Sequence, residues 1–199
     1  MSEKTLYCIR HGTALHNDLY WSFLREKVYE LFHDTPLTVK GIMEAELLRL
    51  NWSDVNDIQL VVTSPLMRTL CTTENVFYSM PHIPVIVYDG IKEHPQSKEW
   101  CNLRSSKTVL MERFPEYDFS DLKTENDTEW QREKLPEEEE MKKLNTRIEK
   151  FKKWIMARPE TKIAVVSHSS FLGQMMFKKI GDEQNELKHC HPYEYRLTI

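Results

Sequence analysis

The sequence predicts an α/β fold, a three-layer α/β/α sandwich in which helices cover both faces of a mainly parallel sheet. Short apolar runs at residues 5–9, 58–63, 84–88 and 162–167 are too brief for helices and indicate buried strands. Segments with helical periodicity separate these runs, and that alternation is typical of a parallel sheet. Residues 194–199 are expected to add an edge strand.

Three helices are expected in the first half of the chain. Apolar residues at helical spacing predict one helix over about residues 20–32. Thr38 is a suitable N-cap for a second helix. The predicted apolar face of that helix consists of Ile42, Ala45, Leu48 and Trp52. Ser64 and Pro65 predict the start of the third, as cap and first-turn proline.

The second half is predicted to contain an irregular insertion and two further helices. Residues 92–136 mix charged and aromatic residues without clean periodicity, and we interpret them as a substrate-facing insertion in a single domain over 1–199. A long helix follows over about 136–157, with carboxylates at 137–140 that complement the helix dipole, an interpretation favoured over a metal site. The last helix should run from about Ser170 to Ile180, with Gly181 as its C-terminal cap.

Composition excludes several classes of protein. The formal net charge is −4, so there is no global basic field for a nucleic acid partner. The four cysteines show no CxxC pair, which favours reduced thiols. The polar N-terminus is followed by too few apolar residues for a signal peptide or membrane span. We therefore expect a cytoplasmic protein with no membrane partner.

Histidines and arginines follow the predicted strands. Arg10 and His11 end the first strand and His168 follows the strand over 162–167, while Ser64 and then Arg68 follow the strand over 58–63. Ligands of parallel α/β sheets bind outside the carboxyl ends of the strands. These side chains are therefore expected to converge at one rim.

This set of residues suits a phosphoryl group. Two guanidinium groups can bind its oxygens with bidentate, charge-assisted hydrogen bonds. One histidine can act as the nucleophile, while the other, if protonated, adds positive charge. Phosphoryl transfer depends largely on such positioning and electrostatic stabilisation.

Five motifs in order resemble the histidine phosphatase superfamily, also called phosphoglycerate mutase-like. They are Arg10-His11-Gly12 with Asn17, Asp34-Thr35-Pro36-Leu37-Thr38 with Gly41, Ser64-Pro65-Leu66 with Arg68, Glu93, and Val166-Ser167-His168. The resemblance covers most of the chain and implies a phosphoglycerate mutase-like fold. It also implies a small phosphorylated substrate and no metal or cofactor.

The resemblance implies a role for each matching residue. His11 is the expected phosphate acceptor and Glu93 the expected proton donor, with Glu99 as the alternative. The catalytic set is completed by the residues of the phosphate pocket, Arg10, Arg68 and His168. Asn17 and Ser169 are expected as additional phosphate contacts, although the family often has glycine at the latter position. His11 must be neutral to attack, and its other ring nitrogen is expected to donate to a backbone carbonyl.

The activity expected from this resemblance is phosphatase activity. The Tyr-Gly insertion of the cofactor-dependent mutases is missing, and residues 100–104 and the His16-Asn17 pair resemble phosphatase-type members. A mutase remains the alternative. A catalytically idle binding module is disfavoured because His11, both arginines and His168 are all present.

Three further features have competing interpretations. His189 and His191 have a spacing seen in some metal sites, but their segment is interpreted as a loop before the edge strand. The aromatic segment over 20–32 either covers the pocket or packs in the core. Four cations either bind a second anionic group of the substrate or form a solvated face. They are Lys92, Lys98, Arg104 and Lys107.

Overall fold

A computed structural model describes residues 3–180 and 186–198, and it contains one five-stranded sheet. The strands are β1 (Glu3–Arg10), β2 (Leu60–Thr63), β3 (Val85–Val87), β4 (Lys162–Ser167) and β5 (Pro192–Thr198). Their order is β3-β2-β4-β1-β5, with β5 antiparallel to β1 and all other pairs parallel. The predicted α/β class with a mainly parallel sheet is confirmed.

The register of the sheet places the ends of three strands side by side. Arg10 of β1 is opposite Ser167 of β4, and Thr63 of β2 is opposite Val166. The residues that follow these strands therefore emerge at the same edge. This alignment decides where His11, Ser64 and His168 lie.

Seven α-helices are described, together with short 3-10 helices at Ser53–Asp57, Asp89–Ile91 and Trp100–Asn102. The α-helices are α1 (Leu15–Tyr20), α2 (Lys27–Leu31), α3 (Val39–Asn51), α4 (Met67–Phe77), α5 (Lys107–Arg113), α6 (Glu137–Met156) and α7 (Ser169–Phe177). Helices α6 and α7 pack on one face of the sheet, and α3 and α4 on the other. None of the helices in the described ranges has the length and apolar character that crossing a bilayer requires.

The predicted helix over 20–32 is wrong. The chain forms two short helices, α1 and α2, separated by turns in which Arg25 has a positive φ of 49°. The Ser22 hydroxyl donates to the Leu19 carbonyl at 2.5 Å and accepts from Leu24 N at 3.2 Å, so it competes with helical hydrogen bonds. Trp21 and Phe23 are exposed, so the apolar periodicity there does not mark a core face.

The cap predicted from Ser64 and Pro65 is also wrong. Helix α4 begins at Met67, whose amide donates to the Asp34 carboxylate at 2.8 Å. Ser64 instead contacts His168. The cap therefore comes from a residue distant in sequence, which a local pattern cannot show.

The other helix predictions hold with small changes. Thr38 caps α3 by accepting from Gly41 N at 3.2 Å, but Ile42 is 38% exposed rather than on the buried face. Helix α7 ends at Phe177, and Lys178 adopts the left-handed cap conformation with φ 58°, so Ile180 lies outside the helix. The predicted cap Gly181 lies outside the described residues.

Candidate active site

His11 lies directly after β1 and is almost fully buried. Its backbone N–H donates to the Ser167 carbonyl at 3.0 Å, so pairing with β4 positions the residue. Its Nδ1 lies 2.7 Å from the Gly12 carbonyl oxygen. Because a carbonyl oxygen only accepts, Nδ1 carries the proton and Nε2 keeps its lone pair. Burial lowers the pKa of His11 well below its usual range, and the Arg68 charge lowers that pKa further.

Two glycines allow this loop to lie against α3. A Cβ atom on Gly12 would be 2.5 Å from the Gly41 carbonyl oxygen, and a Cβ atom on Gly41 would be 2.2 Å from the Thr13 carbonyl oxygen. Glu44 of α3 also accepts from Thr13 N at 2.7 Å. The contact explains physically why both positions in the motifs are glycine.

His168 is the N-cap residue of α7 and faces His11. The two ring centroids are 5.2 Å apart. Nε2 of His168 is 2.8 Å from the Ser64 hydroxyl, and its Nδ1 is buried with no hydrogen-bond partner among the described residues. Burial and then the Arg68 charge lower the pKa of His168 well below its usual range, so the free site favours neutral imidazole.

Arg10 and Arg68 are held in the same way. Arg68 donates from Nη1 to the Cys101 carbonyl at 2.7 Å and from Nη2 to Asn102 Oδ1 at 2.8 Å. Arg10 donates from Nη1 to the Leu187 carbonyl at 2.7 Å, and its Nη2 lies 2.6 Å from Glu186 Oε1. The Nε of each arginine is buried and unpaired within the described residues. In both arginines, the protein holds the outer edge and leaves the edge carrying Nε available.

Asn17 and Ser169 are partly engaged with the protein. Oδ1 of Asn17 accepts from Ala14 N at 3.0 Å and closes the first turn of α1. The Ser169 hydroxyl accepts from Leu187 N at 3.2 Å, which ties it to the segment that binds Arg10. A phosphate contact from either residue would therefore use its remaining donor, Nδ2 of Asn17 or the hydroxyl hydrogen of Ser169.

Glu93 is held at the start of α7, beside His168. Its carboxylate accepts from His94 N at 2.8 Å, Phe171 N at 3.3 Å and Ser170 N at 3.4 Å. Arg147 of α6 donates to the Glu93 carbonyl at 3.3 Å. Sequence reasoning missed Arg147, because an arginine on a long charged helix carries no sign of this contact.

Glu99 is the second carboxyl group near the pocket. Its Oε2 accepts from Asn102 Nδ2 at 3.0 Å, and the same Asn102 binds Arg68 through Oδ1. Burial, with the nearby Glu93 charge, raises the pKa of Glu99 to about 8. Glu99 is therefore mostly protonated at neutral pH.

Two more histidines surround His11. The His16 ring centroid is 6.1 Å from that of His11, and its Nδ1 is 2.5 Å from the Thr35 hydroxyl. His189 lies 5.5 Å from the His11 ring, and its Nδ1 donates to the His11 carbonyl at 2.5 Å. The sequence indicated His16 only as part of a motif, and it gave no sign that His189 would lie beside His11.

The structure does not bring His189 and His191 together as metal ligands. The exposed His191 ring packs on Tyr193, with centroids 4.6 Å apart. Over residues 3–180 and 186–198, no group of three or more histidine, cysteine or acidic side chains has the geometry to hold a metal ion. Among the carboxylates at 137–140, Glu140 accepts from Gln96 N at 3.1 Å and from the Ser97 hydroxyl. It thereby anchors the loop after Glu93.

The four cations weighed as ligands for a second anionic group have internal partners. Lys92 is fully buried against Asp127 at 2.7 Å, and Lys98 pairs with Glu30 at 2.9 Å. Arg104 donates to the carbonyls of Thr124 at 2.8 Å and Glu125 at 2.9 Å, and Lys107 donates to the Leu122 carbonyl at 2.9 Å. Lys92 and Arg104 are also buried, so the alternative that these cations form a solvated face is wrong for both of them. Their contacts hold the insertion together instead.

A cavity of about 1160 Å³ opens between α6 and residues 121–136. None of the predicted site residues lines it. Its walls mix lysines with carboxylates and include no imidazole. The convergence of buried histidines and arginines locates the candidate site better than cavity size does.

Comparisons with known proteins agree with this arrangement. Residues 6–199 match the model of the histidine phosphatase superfamily, branch 1. Phosphoglycerate mutase-like protein 1 of Arabidopsis thaliana is 31% identical over 231 residues, covering 95% of this chain and 74% of that protein. Phosphomutase-like protein 3 of Candida albicans is 26% identical over 151 residues, covering 67% of this chain and 46% of that protein.

Solved structures share the fold at low identity. A phosphoglycerate mutase from Bacillus anthracis superimposes with a TM-score of 0.59 at 15% identity, covering 98% of this chain and 88% of that one. The alpha-ribazole phosphatase from Shigella flexneri gives a TM-score of 0.53 at 22% identity, covering 86% and 77%. The motifs, the sheet and the family match lead to one conclusion: this chain belongs to the histidine phosphatase superfamily, branch 1.

Proposed function

We propose that the chain is a metal-independent phosphatase that hydrolyses phosphomonoesters through a covalent phosphohistidine on His11. The observation that carries this proposal is a set of buried nitrogens near the neutral imidazole of His11 that have no hydrogen-bond partner among the described residues. They are Nε of Arg10, Nε of Arg68 and Nδ1 of His168. Buried polar groups normally have partners, and these suit the oxygens of a phosphoryl group.

The proposed first step is attack by Nε2 of His11 on phosphorus. The bond from phosphorus to the alcohol oxygen breaks as the new P–N bond forms, and the leaving oxygen takes a proton from a carboxylic acid. Arg10, Arg68 and His168 stabilise the charge on the remaining oxygens. The protonated Nδ1 of His11 continues to donate a hydrogen bond to the Gly12 carbonyl, and this bond keeps the ring oriented throughout the reaction.

The proposed second step returns the enzyme to its starting state. Water attacks phosphorus, its proton passes to the carboxylate formed in the first step, and the P–N bond breaks to release inorganic phosphate. A mutase would use the same intermediate and return the phosphoryl group to an alcohol. The acceptor, water or alcohol, is therefore the difference between the two activities.

Glu93 is the proposed proton donor, because it is held beside His168 at the start of α7. Glu99 remains the alternative, because it is protonated at neutral pH and linked to Arg68 through Asn102. We also propose a cytoplasmic location, since Cys8, Cys71, Cys101 and Cys190 are free thiols.

The test is His11→Gln, assayed with para-nitrophenyl phosphate in excess EDTA. Wild-type enzyme should retain activity in EDTA, and an alkaline quench during turnover should trap phosphohistidine at His11. The variant should lose activity by roughly 10³-fold or more, with no trapped phosphate and an unchanged melting temperature.

The matched control is His191→Gln, which changes an exposed histidine outside the pocket and should leave activity unchanged. Near wild-type activity in His11→Gln would contradict the mechanism. Labelled phosphoryl groups recovered mainly on an added alcohol, rather than as inorganic phosphate, would favour the mutase.

A further inference from the structure

Three residues lie one or two contacts away from His11, Arg10 and Arg68, the proposed phosphate-binding groups. We call these three residues the mouth: Tyr29, Glu99 and Glu186. The Tyr29 ring centroid lies 5.7 Å from that of His16, which neighbours His11. Glu186 binds Arg10 directly, and Glu99 connects to Arg68 through Asn102. Each mouth residue is therefore in contact with a pocket residue or one residue away from it.

Tyr29 is close enough to the two acidic mouth residues for them to influence its pKa. Burial raises the pKa of Tyr29, and at the high pH where Tyr29 would ionise the charges of Glu99 and Glu186 raise that pKa further. The Tyr29 ring stacks on Tyr20, with centroids 5.9 Å apart. The ion pair between Lys98 and Glu30 ties α2 to the insertion and so helps to hold Tyr29 in place.

The mouth offers neutral and acidic groups to the alcohol part of a substrate. Glu186 pairs with the Arg10 guanidinium, and its side chain is 50% exposed. Glu99 is mostly a neutral acid at pH 7, and Tyr29 presents a phenol. Hydroxyl groups of an uncharged alcohol can exchange hydrogen bonds with all three.

The nearby insertion supplies no free cation from the four that its sequence offered. Lys92, Lys98, Arg104 and Lys107 all have the internal partners described above. A second anionic group on the substrate would therefore approach Glu186 without a compensating charge from this set. Like charges repel more strongly where solvent is partly excluded than they do in bulk water.

From these contacts we infer that the substrate is a phosphomonoester whose alcohol carries no second anionic group, and that Glu186 enforces this selectivity. The inference rests on the proposed phosphatase function and specifies its substrate class. Arg10 and Arg68 together match the charge of one phosphate dianion. Glu186 offsets part of that charge and leaves less attraction for another anion.

The experiment compares kcat/KM for pairs that differ by one carboxylate. Suitable pairs are glycerol 3-phosphate with 3-phosphoglycerate, and phenyl phosphate with 4-carboxyphenyl phosphate. The uncharged member of each pair should be preferred by about ten-fold or more at low ionic strength. Added salt should reduce this preference, because screening weakens the repulsion.

The variant Glu186→Gln tests the assigned residue. Glutamine keeps an acceptor for Arg10 Nη2 but removes the charge, so the preference should fall by roughly three-fold or more. Glu194→Gln is the matched control, because Glu194 lies on β5 in an exposed pair with Arg196. The control should leave the preference unchanged.

The outcomes separate this inference from the function on which it rests. Turnover that favours the carboxylated members, or a preference unaffected by Glu186→Gln, would overturn the inference alone. Absence of turnover on every pair, with no trapped phosphohistidine, would overturn the proposed function and the inference with it.

Discussion

Arg10 and Arg68 are held alike, in a way that would prepare both residues for the proposed phosphoryl ligand. Each guanidinium is held by two protein acceptors at its outer edge, and each Nε is buried and unpaired among the described residues. A planar guanidinium held in this way loses little conformational freedom when it binds an anion. The two imidazoles beside them stay neutral because burial and the arginine charges oppose protonation.

Glu93→Gln tests the proton donor at the residue scale. Glutamine keeps the shape of the side chain but cannot deliver a proton. An alkyl phosphate, whose alkoxide leaves badly, should therefore lose about 10² to 10⁴ in kcat/KM. Para-nitrophenyl phosphate, whose phenolate hardly needs the proton, should lose much less. The measurement is kcat/KM for both substrates in wild type and variant.

Glu99→Gln is the control, and the pH profile adds an independent measure. If Glu99 donates the proton, kcat/KM should fall as the pH rises through about 8, because the acid form is then lost. In that case Glu99→Gln would abolish the fall in kcat/KM at high pH. It would also reduce kcat/KM for the alkyl phosphate much more than for para-nitrophenyl phosphate. A selective loss in Glu99→Gln but not in Glu93→Gln would therefore transfer the donor role to Glu99.

At the scale of elements, the site depends on contacts between segments that follow different strands. The loop after β1 lies against α3, α4 begins on the Asp34 carboxylate, and α7 begins beside Glu93. The carboxylate of Asp34 also accepts from Ser105 N at 2.8 Å, so one buried residue joins α4 to the insertion. The short helices around the pocket are thus held by specific caps rather than by intrinsic helix stability.

Gly41→Ala tests the contact between α3 and the His11 loop. The new methyl group would meet the Thr13 backbone at 2.2 Å, so the loop and helix must separate. The free energy of unfolding should fall by about 1–3 kcal/mol, and kcat should fall with it because His11 shifts. Urea denaturation and steady-state kinetics measure the two effects.

The exposed Glu46→Ala substitution on the same helix is the matched control and should be nearly neutral. Wild-type stability in Gly41→Ala would show that the backbone contact relaxes without cost. Reduced stability with unchanged kcat would instead separate the contact from the position of His11.

At the scale of the whole molecule, buried charges hold the insertion together and join it to the 3-10 helix that follows β3. Lys92 and Asp127 have side chains with no exposed surface and lie 2.7 Å apart, and Asp89 contacts both Lys92 and Arg104. Burial alone would raise the pKa of Asp127, but the Lys92 charge and its hydrogen bonds leave that pKa lowered. The pair's contribution to stability should therefore be present at neutral pH and lost as the pH falls through the lowered pKa of Asp127.

Asp127→Asn should be strongly destabilising because it removes the main counter-charge of buried Lys92. We expect a loss of about 3 kcal/mol in the free energy of unfolding at pH 7, measured by urea denaturation. The double variant Lys92→Met with Asp127→Asn should be less destabilised than the sum of the single variants. Additive effects would contradict the role of the pair.

Glu74→Gln provides the comparison, because Glu74 forms an exposed pair with Arg113 at 2.9 Å. Surface pairs contribute little, so this variant should change stability by less than about 1 kcal/mol. The contrast would separate burial from charge pairing as the source of the effect.

Local patterns in the sequence were enough to determine the fold class, most strand positions, helix α6 and the superfamily. Strand and helix periodicity depend on neighbours within a few residues, and the motifs around His11, Arg68 and His168 are short. The register of parallel strands then brings their ends to one edge, which is why the sequence predicted the convergence of those residues.

Only the tertiary structure decided which groups surround the candidate site. The contacts of His189 with His11, Asn102 with Arg68, Glu186 with Arg10 and Arg147 with the Glu93 loop join residues far apart in sequence. The same holds for the insertion cations, whose partners lie elsewhere in the chain. Such pairings follow from packing and from the need to satisfy buried polar groups, and no local pattern in the sequence encodes them.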